Sequence, residues 1–308
     1  MKSPLICIVG PTAVGKTEIA IQLAQHLDAE IVSLDSRQIY REMDIGTAKP
    51  TPYQRGAVPH HLIDCVAVDQ LFSVAEYQRS ADRAIEEIQE RGKRAMIVGG
   101  AGLYFRGLID GLFDGPGADA EIRAKLQREA DEHGNVALHD RLRRCDPETA
   151  DRVHPNNRVK VIRALEVYEL TGKPISALQE QWKMNEPRYS FRAFGLNMPR
   201  EALYRRIEDR VDQMVEVGLI EEVKELLDRG YSRNCVAMQS FGYKELIEYL
   251  DGKRTFDEAV ALLKQNTRRF AKRQLTWFCN DPRIEWLDIS RFSSVDGIVD
   301  NLLTKNSV

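Results

Sequence analysis

The stretch VGPTAVGKTEI, residues 9–19, follows the short apolar run LICI and leads into an amphipathic segment. Residues 10–17 match G-x-x-x-x-G-K-[ST] between a predicted strand and a predicted helix, which is the context of a phosphate-binding P-loop. The backbone N–H groups of such a loop turn toward an anion, and the helix N-terminus and Lys16 add positive charge. A glycine turn that only joins strand to helix is the alternative. The predicted di- or triphosphate site is Gly10, Pro11, Thr12, Ala13, Val14, Gly15, Lys16 and Thr17, with Thr17 as the candidate Mg²⁺ ligand.

Further apolar runs alternate with amphipathic segments along the first half of the chain. EIVSLDS (30–36) and AMIVGG (95–100) are predicted strands, and Ser73 with Glu76 predicts the capped start of a helix between them. The stretch SFRAFGLNM (190–198) predicts a later strand. This alternation predicts a P-loop NTPase-like α/β fold with a parallel sheet, whose ligands bind at the carboxyl ends of the strands.

The middle of the chain has a different character. Residues 116–186 are rich in charge and contain helical patterns without a convincing strand, which predicts a helical insertion domain. Residues 1–115 and 187–308 are then the P-loop core, with long C-terminal helices, a probable edge strand at 283–289 and a short last helix.

Composition narrows the possible functions. The net charge over 308 residues is −3, so nucleic-acid binding would need a local basic surface. The five cysteines are scattered without a C-x-x-C pair, which favours a reducing cytosol over a disulfide framework or a structural zinc site. The apolar run at the start is too short to span a membrane, and no signal peptide is recognisable. We therefore expect a cytoplasmic protein.

A carboxylate follows the second predicted strand. Asp35 is expected beside the P-loop, with Ser36, Arg37 and Gln38 on the same rim. The carboxylate could organise Mg²⁺ through water or accept a proton, although Asp is also common in turns and helix caps. The proline- and glycine-rich residues 43–65 predict a long functional loop over this edge, in which we interpret His60 and His61 as structural.

The segment 259–280 contains basic residues and no acidic one. Leu263, Phe270 and Trp277 lie seven residues apart and predict an apolar seam facing the core. The basic residues beside this seam predict a track for a phosphate backbone, with a solvated charged face as the alternative. They are Lys264, Arg268, Arg269, Lys272 and Arg273.

Six stretches together resemble the tRNA dimethylallyltransferase (tRNA isopentenyltransferase) family. They are GPTAVGKT, SLDSRQIYREMDIGTAKP, PHHLID, VGGAGLYFRGL, KVIRALEVYELTGKP and NTRRFAKRQLTWF, in family order from Gly10 to Phe278. The resemblance implies a prenyltransferase that moves a dimethylallyl group from dimethylallyl diphosphate to N6 of the adenosine 3′ to the anticodon of tRNA. Mg²⁺, a bound anticodon stem-loop and a monomeric state belong to the same expectation.

The resemblance also implies residue roles. Lys16, Thr17, Asp35 and Arg210 match the catalytic residues, with Asp35 as the base and Arg210 against the diphosphate. Ala101 stands where the family usually has threonine, so a hydroxyl contact is missing there. The helical insertion is expected to close over the tRNA stem. The matching tRNA contacts are Asp35, Ser36, Arg37, Gln38, Ala101, Arg123, Val159, Lys160, Arg163, Gln239, Gly242, Lys244, Arg268, Arg269, Lys272 and Arg273.

Three alternatives remain at this point. A small-molecule P-loop kinase would turn over ATP and ignore dimethylallyl diphosphate. An adenine-nucleotide prenyltransferase would not need the basic segment around Arg268. A non-catalytic, nucleotide-gated RNA-binding protein would tolerate the loss of Asp35.

Overall fold

A computed structural model describes residues 3–112, 115–184 and 186–306. Within these ranges the strands are β1 (Leu5–Val9), β2 (Ala29–Leu34), β3 (His60–His61), β4 (Arg94–Gly99), β5 (Phe191–Asn197) and β6 (Ile284–Asp288). The α-helices of the same ranges are α1 (Lys16–Leu27), α2 (Pro52–Ala57), α3 (Val74–Glu90), α4 (Gly102–Ile109), α5 (Ala120–Cys145), α6 (Pro147–Arg152), α7 (Arg158–Thr171), α8 (Ile175–Met184), α9 (Arg200–Glu216), α10 (Leu219–Asp228), α11 (Tyr243–Leu250), α12 (Phe256–Cys279) and α13 (Val295–Asn306).

The described strands form one sheet in the order β3-β2-β4-β1-β5-β6. Each neighbouring pair is parallel, so the carboxyl ends of all these strands lie at one edge. In the central strand β1, Cys7 pairs with Ile97 on one side and Ala193 on the other. All five residues of β1 are buried, as expected for a parallel strand covered on both faces. The predicted α/β class with a parallel P-loop-type sheet is confirmed, and β6 is the edge strand.

The strand order shows how Asp35 comes to lie at the P-loop. β4 separates β2 from β1, yet Asp35 lines the same pocket as Lys16 and Thr17. The end of β4 fits closely against β2, because a Cβ on Gly99 would lie 2.1 Å from the Leu34 carbonyl oxygen. Only glycine at position 99 allows this close approach of β4 to β2.

The chain divides into two compact units. The first comprises Met1–Leu108 and Tyr189–Val308. One apolar cluster of this unit includes Ile8 and Leu23, and a second includes Leu246 and Leu263 of the C-terminal helices.

The second unit is Ile109–Arg188, and it has a helical core of its own around residues such as Leu142 and Leu165. It is wider at both ends than the predicted insertion, 116–186. The Arg188 N–H donates to the Ile109 carbonyl oxygen at 2.7 Å, which ties its two ends together. A backbone contact of this kind leaves no mark on composition, so the sequence pattern could not place the boundaries.

Local signals set several helix ends. Ser73 and Glu76 form the predicted capping box of α3, and Gly92 follows that helix with a φ of +77°. Thr255 and Glu258 cap α12 in the same way. In the described part of the chain, no helix is both long and apolar enough to cross a membrane.

Candidate active site

The P-loop connects the centre of the sheet to α1. Gly10 has a φ of +145°, and a Cβ there would lie 2.5 Å from the Leu196 carbonyl oxygen of β5, so only glycine fits. Gly15 is the N-cap of α1, and no side chain makes a capping hydrogen bond at this helix end. The first amides of α1 therefore point out of the helix end, together with the positive end of its dipole. This local geometry is suited to an anion.

Lys16 is folded over the loop from which it starts. Its Nζ donates to the carbonyl oxygens of Gly10 at 3.0 Å and Pro11 at 2.7 Å. Burial lowers the pKa of Lys16 to about 7, while the charge of Asp35 raises it and that of Arg210 lowers it. An anion near this ammonium would favour its charged form, so anion binding and protonation of Lys16 are linked.

Asp35 is oriented by the turn that follows it. Its Oδ1 accepts hydrogen bonds from the backbone N–H groups of Arg37 at 2.8 Å and Gln38 at 3.3 Å. Burial raises the pKa of the Asp35 carboxyl, and the two amides and Lys16 oppose that shift. The net effect is a raised pKa, which makes this carboxylate a stronger base than an exposed one.

Two adjoining cavities surround these groups. The polar pocket has a volume of about 260 Å³ and includes Lys16 and Thr17 in its lining. The aromatic cavity, of about 430 Å³, is lined in part by Tyr104, Phe241, Phe270 and Trp277. Their shared wall contains Thr12, Ala13, Asp35, Thr47, Ala48, Gly100, Arg210, Phe270 and Gln274.

Arg210 was predicted only through the family resemblance, and the structure places it on that shared wall. Burial lowers its pKa, and the charge of Arg206 lowers it further. Arg206 lines the polar pocket as well. Two guanidinium groups of α9 therefore add to the positive charge of the pocket around Lys16, as a diphosphate would require.

Helix α12 contributes an apolar stripe to the aromatic cavity. Leu263, Phe270 and Trp277 all line it, so the predicted seam faces a cavity as well as the core. The fit at Trp277 is close, since a Cβ on Gly102 would lie 2.2 Å from its ring. The seven-residue spacing predicted the apolar seam, but it carries no information on whether the seam faces packed side chains or a cavity.

The basic residues of α12 have different surroundings. Lys264 forms an ion pair with Asp212 at 2.7 Å, and Arg268 forms one with Glu208, both on α9. The expected face of one sign is therefore wrong at these two positions, because a neighbouring helix supplies the carboxylates. Arg269 and Lys272 are exposed.

Arg273, the remaining basic residue of the segment, lies at the cavity. Its guanidinium carbon is 5.7 Å from the Phe241 ring centre and 5.8 Å from that of Phe270.

Two loops complete the aromatic cavity. The carboxylate of Glu222 accepts hydrogen bonds from the backbone N–H groups of residues 44–46 and from the Tyr243 hydroxyl at 2.6 Å. These bonds fix the loop of Thr47 and Ala48 against the cavity. Gln38 adds to them by donating to the carbonyl oxygens of both residues, at 3.3 and 3.2 Å.

Residues 239–242 of the stretch QSFGYK form the second loop, and its last two residues begin α11. Gln239 and Gly242 line the aromatic cavity, as does Ser240, whose buried Oγ has no hydrogen-bond partner within the described residues. Lys244 of this stretch lies with its Nζ 5.4 Å from the Phe241 ring centre.

Known proteins resemble this chain along its length. The IPP transferase family matches residues 38–281. A tRNA dimethylallyltransferase of Carboxydothermus hydrogenoformans is 50% identical over 309 residues, covering 100% of this chain and 99% of that protein. The chain belongs to this family.

Solved structures agree with that assignment. A tRNA isopentenylpyrophosphate transferase from Bacillus halodurans superposes with a TM-score of 0.74 at 45% identity, over 99% of this chain and 97% of that one. A eukaryotic dimethylallyltransferase acting on tRNA gives a TM-score of 0.77 at 28% identity, over 98% and 80% of the two chains. The family predicted from the sequence motifs is confirmed.

Four of the tRNA contacts implied by the family lie in the second unit. Arg123 and Arg163 both donate to the buried carboxylate of Glu166, at 2.8 and 2.7 Å. The Arg123 pair connects α5 to α7, whereas the Arg163 pair lies within α7. Val159 and Lys160 are exposed near the start of α7. The two arginines therefore have a structural role within this unit.

The remaining predicted contacts lie in the first unit. Asp35, Ser36, Arg37 and Ala101 line the aromatic cavity. Arg37 also donates to the Val236 carbonyl oxygen at 3.1 Å, which reduces its freedom to turn toward a ligand.

Sequence reasoning missed several lining residues, among them Tyr104, Arg206, Ser240, Phe241 and Gln274. Four of these five lie inside GGAGLY, QSFGYK or the basic segment 259–280, which already contained predicted site residues. Their type alone gave no signal, because aromatic residues and glutamine are common in helices and cores.

Proposed function

We propose that this chain transfers the dimethylallyl group of dimethylallyl diphosphate to N6 of the adenosine 3′ to the anticodon in tRNA, with release of diphosphate. The observation that carries the proposal is the wall shared by the polar pocket and the aromatic cavity. It places Asp35 and Arg210 between a cationic site and an apolar site. A reaction between an allylic diphosphate and a purine amine needs both environments at one junction.

The polar pocket suits the leaving group. When the allylic C–O bond breaks, negative charge grows on the diphosphate, and preorganised donors stabilise that charge most strongly. In this proposal the P-loop amides, Lys16, Arg206 and Arg210 supply them. The loss of one such donor typically costs about 3–4 kcal/mol in the barrier.

The oxygen donors at this pocket fit a magnesium ion. The Thr17 hydroxyl and the Asp35 carboxylate both line it, and Mg²⁺ commonly binds one or two protein oxygens together with substrate phosphates and water. When bound, the ion would neutralise charge on the diphosphate. Thr17 would be its direct ligand, and Asp35 would either join it through water or act as the base.

The aromatic cavity suits the acceptor and the reacting carbon. An adenine turned out of a single-stranded loop can stack on aromatic rings, and a carbon that develops positive charge is stabilised near their faces. The N6 lone pair forms the new C–N bond while one N6 proton leaves. Because Oδ1 of Asp35 already accepts two amide hydrogen bonds, Oδ2 is the oxygen that would take this proton.

The exposed cations would hold the tRNA backbone. Arg269 and Lys272 are free of the α9 ion pairs that engage Lys264 and Arg268, so we assign them the larger share of phosphate binding. The helical second unit would hold the anticodon stem. On the family resemblance we further propose a cytoplasmic monomer.

The decisive experiment supplies radiolabelled dimethylallyl diphosphate and unmodified tRNA, followed by nucleoside analysis. We expect label on the adenosine 3′ to the anticodon and release of one diphosphate per transfer. A parallel reaction with ATP and no prenyl donor tests the kinase alternative, and free AMP as acceptor tests the nucleotide prenyltransferase. Turnover of ATP without labelled tRNA, or labelling of AMP in preference to tRNA, would refute the proposal.

A further inference from the structure

Gln274 lies at the point where α12 meets the P-loop. Its side-chain Oε1 accepts a hydrogen bond from the Thr12 backbone N–H at 2.8 Å. Its Nε2 donates to the Gly100 carbonyl oxygen at 3.0 Å. Gln274 is only 7% exposed, and its hydrogen bond to Gly100 is buried. One carboxamide thus joins two turns that are far apart in the sequence.

The turn that contains Gly100 is also hydrogen-bonded to the end of β2, just before Asp35. The backbone N–H groups of Gly100 and Ala101 both donate to the Leu34 carbonyl oxygen, each at 3.0 Å. Leu34 immediately precedes Asp35. A continuous path of hydrogen bonds therefore runs from Thr12 through Gln274 and Gly100 to the end of β2.

This path adds a link beyond the last paired residues of the sheet. Gly99 of β4 pairs with Val9, the last residue of β1, and with Leu34, the last residue of β2. The P-loop and Asp35 both follow these pairs, so the strand ladder itself does not reach them. A carboxamide supplies one acceptor and two donors in a fixed plane, so it can bind an N–H on one side and a carbonyl on the other.

The space around the carboxamide is closely filled. A Cβ on Gly100 would lie 2.1 Å from Nε2 of Gln274, so the side chain contacts the backbone directly. Gln274 also lines both the polar pocket and the aromatic cavity. Helix α12 therefore contacts the P-loop through the same residue that closes the wall between the cavities.

We propose that Gln274 is a positioning residue that sets the separation between the P-loop and Asp35. The inference rests on the proposed function, because that function needs the diphosphate and the base at a fixed distance. A displacement of about 1 Å between reacting groups can reduce a rate by up to about 10²-fold. Loss of the carboxamide should therefore lower the rate of transfer more than it weakens the binding of tRNA.

The test compares Gln274→Met with Gln265→Ala. Methionine has a similar length but can neither donate to Gly100 nor accept strongly from Thr12, whereas Gln265 is exposed on the same helix. We expect the single-turnover rate constant of Gln274→Met at saturating substrates to fall about tenfold or more. The dissociation constant for tRNA and the activity of Gln265→Ala should stay at the wild-type values. A wild-type rate constant in Gln274→Met, or equal losses of rate and tRNA affinity, would overturn the inference.

Hydrogen exchange gives a readout that does not depend on prenyl transfer. In Gln274→Met, amides of residues 10–17 and 99–102 should exchange faster than in the wild type, while those of α13 should not. Unchanged exchange in both segments would refute the link between the turns. If Gln274→Met does not fold, Gln274→Asn, which keeps the carboxamide on a shorter side chain, carries the same comparison. If the wild type transfers no dimethylallyl group to tRNA, the proposed function fails, and the exchange data still decide whether Gln274 joins the turns.

Discussion

Replacing Asp35 with asparagine separates the two roles that its carboxylate could have. The asparagine Oδ1 can still accept from the Arg37 and Gln38 amides, which lie at 2.8 and 3.3 Å, so the turn should be preserved. What the variant loses is the negative charge and the ability to take a proton at neutral pH. We therefore expect a folded enzyme that binds both substrates and transfers the prenyl group slowly.

General-base catalysis typically contributes about 10²–10⁴-fold to a rate. At about 1.36 kcal/mol per tenfold, this is about 3–5 kcal/mol in the barrier. A second, smaller effect comes through Lys16, because the charge of Asp35 raises the pKa of Lys16, which burial lowers to about 7. Without that charge the pKa of Lys16 falls below about 7, so the variant should begin to lose diphosphate affinity at a lower pH than the wild type.

Single-turnover assays at saturating tRNA and dimethylallyl diphosphate measure the chemical step directly. A Mg²⁺ series and separate measurements of pyrophosphate binding on both sides of about pH 7 distinguish the base from a metal-organising residue. Asp209→Asn is the matched control, since Asp209 is exposed on α9 next to Arg210.

Two results would refute this reasoning. A rate constant close to that of the wild type would show that Asp35 does not take the proton. Full recovery of the rate at high Mg²⁺, together with a lower diphosphate affinity, would make Asp35 a residue that organises the metal ion.

Three further substitutions test other parts of the site. Lys16→Ala should abolish turnover with nearly unchanged tRNA affinity. In the wild type, pyrophosphate binding above about pH 7 should take up a proton that Lys16→Ala does not take up, as titration calorimetry in different buffers would show. Combined Arg269→Ala and Lys272→Ala should lower the slope of log affinity for tRNA against log salt by roughly 0.7–0.9 per lost phosphate contact. Glu166→Gln should lower the free energy of unfolding by about 1–3 kcal/mol in denaturant titrations, because it weakens the hydrogen bonds from Arg123 and Arg163 to a buried carboxylate.

The contribution of the Glu166 carboxylate to the free energy of unfolding should depend on pH. Burial raises the pKa of Glu166, but hydrogen bonds from Arg123 and Arg163 outweigh it and hold the pKa below the ordinary value of 4.5. The extra stability is therefore fully present above that value and is lost as the pH falls through the lower, folded-state pKa. Glu166→Gln should not show this loss.

Each of these predictions has a contrary result. Near-normal prenyl transfer by Lys16→Ala would exclude the P-loop as the diphosphate site. An unchanged salt slope in the variant that lacks Arg269 and Lys272 would show that this surface is only solvated. Equal stability of Glu166→Gln and the wild type at neutral pH would mean that the buried carboxylate contributes nothing to the second unit.

The sequence by itself determined the local features of this protein. The P-loop is encoded in eight consecutive residues, and the capping pair Ser73 and Glu76 sets the start of α3 within one helical turn. The alternation of buried strands with amphipathic helices gave the parallel sheet, and the order of the motifs gave the family. All of these depend on residues that interact with near neighbours in the chain, so periodicity and spacing preserve them.

Only the tertiary structure decided which distant residues meet. The strand order places β4 between β1, which leads into the P-loop, and β2, which leads into Asp35. The packing of α9 against α12 brings carboxylates of α9 to Lys264 and Arg268. Gln274 meets Thr12 across a separation of 262 residues. No local pattern marks such a pair, because a hydrogen bond across that distance depends on how the sheet and helices pack, and the same glutamine on an exposed helix face would leave an identical local sequence.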